Sequence, residues 1–138
     1  MISVMSPQDG LIAVMMITSA ADRDMSDSEI KEIGTIVDLL PAFDGYDKDR
    51  IGVVSETVID LLQNDEGLDA LIGMVKSALP GHLRETAYAL ACDVAAADGS
   101  VQLEELRLLE LLRHNLGVER LNAAAIERGA RARHTRVD

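Results

Sequence analysis

The sequence predicts an all-α fold, a single-domain bundle of about seven helices, on three observations. Aromatic residues make up only 2% (Phe43, Tyr46 and Tyr88, with no Trp), while Ala, Leu, Ile, Val and Met abound. That composition argues against a β-sandwich and for packed helices. The three prolines, Pro7, Pro41 and Pro80, each fall where a helix should begin or end. Apolar residues recur at helical spacing, and no stretch alternates as a strand would. With 138 residues, 48% of them apolar, the chain is long enough to bury about two thirds of its unfolded surface without a disulfide or structural metal.

Each helix has its own signals. Ser6-Pro7 reads as N-cap and first residue of a helix running to about Ala21. Ser26-Asp27-Ser28-Glu29 is a capping box, opening a helix with Ile30, Ile33, Ile36, Val37 and Leu40 on its inner face. Phe43-Asp44-Gly45-Tyr46 is loop chemistry. A third helix is expected near Asp47–Leu62, with Ile51, Val54, Val58, Leu61 and Leu62 inward. Asn64-Asp65 caps a fourth, marked by Leu68, Leu71, Ile72 and Val75. Pro80 opens a fifth through Ala87, Leu90, Ala91, Val94 and Ala95. The sixth carries Leu106, Leu109, Leu112 and Leu116 and stops at Gly117, and a seventh spans about Glu119–Arg131. The domain core is thus expected at about 7–131, with a basic tail at 132–138.

The charge is lopsided. Of the formal net −11, Met1–Val75 carries everything, with 15 acids against 4 bases, and Lys76–Asp138 has 9 of each. Nucleic acid requires a basic footprint, so it is excluded as a partner, whereas an acidic surface suits cations or basic proteins. Arg120, Arg128, Arg131, Arg133, His134 and Arg136 mark the end of the chain as different. They read as the solvated face of a last helix with a fraying end, and they leave a peripheral contact with an anionic lipid surface open. The apolar run Leu11–Ile17 is far shorter than the ~20 residues that span a bilayer, and no positive charge precedes it as in a signal peptide. With the single Cys92, this points to the cytoplasm.

The most informative pattern is internal. Ala20-Ala21-Asp22-Arg23-Asp24-Met25-Ser26-Asp27-Ser28-Glu29-Ile30 lies over Ala96-Ala97-Asp98-Gly99-Ser100-Val101-Gln102-Leu103-Glu104-Glu105-Leu106 at an offset of 76. Each copy is a helix, a short acidic loop and a second helix, and two such hairpins would stack about a pseudo-twofold axis. Ala95-Ala96-Ala97-Asp98-Gly99-Ser100-Val101 followed by Glu105, together with the duplicate, resembles the tellurite-resistance TerB-like family over about Gly10 to Gly117. Arg23 stands where the pattern has glycine, and Gln102 where a Ser, Asp or Thr cap is expected. The resemblance implies an all-α fold and a part in bacterial stress response or tellurite resistance. On that reading the chain is a non-enzymatic acidic module acting through protein partners.

The acidic loops themselves admit two readings. Asp98 to Glu105 reproduces positions five to twelve of an EF-hand loop, and Asp22 to Glu29 does so without the glycine. Positions one and three are Val94 and Ala96, or Thr18 and Ala20, so a full EF-hand is excluded. In the first reading Asp22, Asp24, Asp27, Glu29, Asp98 and Glu105 converge on a divalent cation such as calcium, and the protein is a sensor. In the second they are caps: Gly99 supplies positive φ, while Glu29 and Glu105 satisfy free amides at the heads of their helices. Val101 and Met25 would then plug the loops into the core. Cys92, among alanines, reads as a small core residue, and most methionines as core filler. His82, His114 and His134 show no metal-ligand spacing. The absence of a phosphate loop and of a nucleophile elbow gives no support for catalysis.

Overall fold

The computed structural model describes residues 4–21, 27–97, 99 and 101–138, and of Asp27 and Ser28 the backbone alone. Among these residues the fold is all-α, with seven helices and no strand: α1 (Pro7–Ala20), α2 (Asp27–Leu39), α3 (Arg50–Leu62), α4 (Gly67–Ala78), α5 (Arg84–Ala96), α6 (Leu103–Leu116) and α7 (Arg120–Arg133). Short 3-10 turns at Pro41–Phe43 and Gly81–Leu83 lie between α2 and α3 and ahead of α5.

α1 is apolar around most of its circumference, and a helix of that kind belongs in the interior. Leu11, Ile12, Ala13, Val14, Met15 and Ile17 are all buried. Its most extensive partner is α5, whose Ala87, Leu90, Ala91, Val94 and Ala95 are likewise buried. α3 and α4 pack on α1, while α6, α7 and α2 pack on α5. The two central helices are therefore each wrapped by others, and the small side chains of α5 allow the close approach.

The ends follow local chemistry. Ser6 caps α1: its Oγ accepts from the Asp9 amide and the Asp9 carboxylate accepts from the Ser6 amide, both at 3.1 Å. Gly117, at φ 69°, ends α6 in the left-handed conformation, and the Val118 amide reaches back to the Arg113 carbonyl at 3.1 Å. Gly99 takes φ 87°, as the loop reading requires. Val101 is half-buried against the core, and Cys92 is buried.

Several elements differ from expectation. Asn64-Asp65 does not cap α4; the helix starts at Gly67, because its N–H bonds to the Asn64 carbonyl and the chain turns tightly there. Pro80 opens a 3-10 turn, and α5 begins only at Arg84. Phe43, read as a loop residue, ends a 3-10 turn and is 4% exposed. Ile30 and Leu106, expected inside, are 49% and 52% exposed. α7 extends to Arg133. No helix among the described residues is long and apolar enough to cross a membrane.

Candidate functional site

Glu29 and Glu105 stand at the same place in their helices, the third residue of α2 and of α6. Both are buried, at 1% and 0% exposure. Glutamate is rarely buried so completely without partners, and the head of a helix favours a negative charge through its free amides and dipole. The Gln102 amide, at the N-cap of α6, donates to Glu105 Oε1 at 3.2 Å, which is the capping role read from the sequence. Glu29 Oε1 accepts a hydrogen bond from the buried Ser19 hydroxyl, on the last turn of α1, at 3.3 Å. Each glutamate thus anchors the head of a helix beside an acidic loop.

Of the other four candidate ligands, Asp22, Asp24 and Asp98 lie outside the described residues, as do Ser26 and Met25, and Asp27 is described only as the first residue of α2. Among the described residues no three Asp, Glu, His or Cys side chains are grouped so as to hold a metal ion.

Two clusters were not foreseen. Asp9 is fully buried at the head of α1 and accepts from Arg50 Nε at 3.0 Å, Arg50 Nη2 at 2.6 Å and the Tyr46 hydroxyl at 2.9 Å. Burial alone would raise its pKa, but the Arg50, Ser6 and Tyr46 hydrogen bonds together outweigh it and hold the carboxyl at about 2. The same burial, with the Asp9 carboxylate alongside, pushes the Tyr46 phenol above its ordinary range. At the other end of the chain, Arg133 donates to Asp93 on α5 at 2.5 Å and 3.2 Å, and His134 Nε2 lies 3.3 Å from Glu32 on α2. Part of the Arg-rich end is therefore laid on the protein's own acids instead of fraying.

The acidic half exposes many carboxylates. Asp38, Asp44, Asp47, Asp49, Glu56 and Asp60 are all exposed, and Asp65, Glu66 and Asp69 continue the series into α4. The only two cations in the stretch 38–69 are engaged, Lys48 with Asp38 and Arg50 with Asp9. On α3 the outward positions Gly52, Val53, Glu56, Ile59 and Asp60 follow helical spacing, so two apolar side chains, 38% and 50% exposed, lie among carboxylates. The excess charge is legible in the sequence, whereas the packing of α3 is what shows which of its residues face out.

Comparison with known proteins bears on the same stretch of chain. Neither a curated protein nor a solved structure matches it. A family model does, described as tellurite resistance protein TerB and aligned with residues 8–128, from the first turn of α1 to within the last turns of α7. The chain belongs to the TerB family.

Proposed function

We propose that the protein is a non-enzymatic acidic module that works by binding a basic, amphipathic protein partner, in the tellurite resistance that the family name indicates or another bacterial stress response. The observation that supports this reading is the outer face of α3, where Val53 and Ile59 lie exposed beside Glu56 and Asp60 within a run of exposed carboxylates of which only Asp38 is paired among the described residues. Apolar area supplies affinity, and the surrounding charge steers and selects a basic surface. The test is quantitative capture from a bacterial extract with wild type and with Glu56→Lys/Asp60→Lys. A basic protein retained by wild type, lost at least tenfold with the variant and equally retained with chelator or calcium, supports the reading. A capture profile that is identical for the two proteins overturns it.

A second reading, a divalent-cation sensor, draws support from the matched burial of Glu29 and Glu105 beside acidic loops. Its ligands would be Asp22, Asp24, Asp27, Glu29, Asp98 and Glu105, with calcium as the first ion to try. Calorimetric titration of chelator-treated protein with calcium, manganese and zinc tests it, with Asp22→Asn/Asp98→Asn as control. Micromolar binding absent from the control supports a sensor; no binding of any of the three ions by wild type leaves the glutamates as helix anchors.

A further inference from the structure

α6 and α7 both lean on α5 and make few contacts with each other, although only residues 117–119 join them. Between α2 and α3 the longer connection, residues 40–49, brings Phe43 and Tyr46 into the core. The α6–α7 connection brings in no aromatic side chain. A groove of about 480 Å³ is left over α5. Ala95 and Ala96 lie along its floor, with Leu106 and Leu109 from α6 and Ala123 and Ala124 from α7 at its sides. Among its described lining residues the uncharged polar side chains are Tyr88, whose hydroxyl already donates to Glu127 at 2.7 Å, and the buried Cys92. Between the charged rim residues, a ligand body lying on α5 meets mainly aliphatic side chains, which favours an apolar one.

The rim carries three arginines against two glutamates, in a chain of net charge −11. Arg113, near the end of α6, and Arg120, at the start of α7, stand at one mouth of the groove, and Arg131 at the other. Arg120 and Arg131 form no ion pair among the described residues, in a chain of net charge −11, and Arg113 reaches only the Val118 carbonyl, at 3.4 Å. Glu110 and Glu127 flank the middle, so an anionic group is favoured at the Arg113–Arg120 mouth and disfavoured halfway along. From Arg120 to Arg131 the slot follows about 16 Å of helix. Its volume falls in the range of small-molecule sites.

We propose that this groove binds an aliphatic monocarboxylate, a free fatty acid of medium chain length. Arg113 and Arg120 hold the carboxylate, and the hydrocarbon lies along α5 toward Val101. The Arg131 stem closes the far end while its guanidinium stays in water. The proposal is independent of the acidic face on α3.

Titration calorimetry with sodium dodecanoate below its micelle concentration tests it, with circular dichroism to verify that helicity is retained. One molecule bound per chain at micromolar affinity is expected. Affinity should fall at least tenfold in Arg120→Glu and in Ala124→Trp, both at exposed positions, and stay unchanged in Glu56→Lys/Asp60→Lys. Absence of saturable binding overturns the proposal. So does equal binding of dodecyltrimethylammonium, or undiminished affinity in Ala124→Trp. Capture by phosphatidylglycerol vesicles without binding of soluble dodecanoate also overturns it, since the arginines would then be a surface patch for lipid headgroups.

Discussion

Asp9 concentrates more physical chemistry than any other described residue, because one buried carboxylate caps α1 and receives both Arg50 and Tyr46 from a distant part of the chain. Its pKa is depressed from the ordinary 3.8 to about 2, so the folded state binds this proton more weakly than the unfolded chain. The contribution is therefore complete above about pH 4 and is lost as pH falls through about 2; its size is about 2 kcal/mol. Asp9→Asn should destabilise the protein by about 2–3 kcal/mol at pH 7, and by much less at pH 2.5, in urea melts at the two pH values. An equal loss at both would show that shape, not charge, matters at this position. Cys92 makes the opposite case. Burial pushes its thiol up to about 12, which leaves almost no thiolate at neutral pH. A thiol reagent at pH 8 should modify it slowly, since almost no thiolate is present and little of the side chain is exposed at the edge of the groove over α5, and fast modification of native protein would contradict that burial.

At the scale of elements, the sequence made each helix legible and misplaced one inward residue in each of two. In α6 the expected face is Leu106, Leu109, Leu112 and Leu116, and the buried stripe is Glu105, Leu108, Leu109, Leu112 and Leu116, so Leu106 alone is misplaced. In α2 the stripe includes Glu29, Ile33, Ile36 and Val37, and Ile30 faces out. Ile30 and Leu106 occupy the same position of the repeat, and both were misread for one reason: a glutamate on the core stripe hides the stripe's phase. The helix heads were legible because capping is local. The Asp9–Arg50–Tyr46 cluster was not, since partners about 40 residues apart leave no periodic trace. Joints between helices behave similarly. A Cβ on Gly67 would stand 1.5 Å from the Leu61 carbonyl oxygen, inside backbone that cannot yield, whereas one on Gly73 in the same helix meets nothing within 4 Å. Gly67→Ala should therefore cost about 2–4 kcal/mol and Gly73→Ala should stabilise by about 0.5–1 kcal/mol. Thermal melts that gave the two substitutions the same sign would contradict the α3–α4 turn.

Over the whole molecule the charges are sorted, with the excess of acids confined to the half that contains α1 to α4. Repulsion among exposed carboxylates acts against the folded state, where they are held closer than in the open chain, and salt screens such exposed charges over about 10 Å at 0.1 M. Opposing this, salt also weakens ion pairs. The Lys48–Asp38 pair is exposed and worth little, while the carboxylate of the Asp9–Arg50 pair is buried and less accessible to screening. Repulsion should win, so raising NaCl from about 20 to 200 mM is expected to stabilise the protein by about 1 kcal/mol, a rise in Tm of about 3–5 °C. Glu56→Lys/Asp60→Lys shifts the net charge by four units toward zero, and should show a higher Tm at low salt with roughly half the salt response. The same substitution removes the surface proposed for a basic partner, so stability and binding should move in opposite directions. A Tm that fell with salt would mean that paired charges outweigh the acidic surface, and the argument for an unneutralised face on α3 would fail with it.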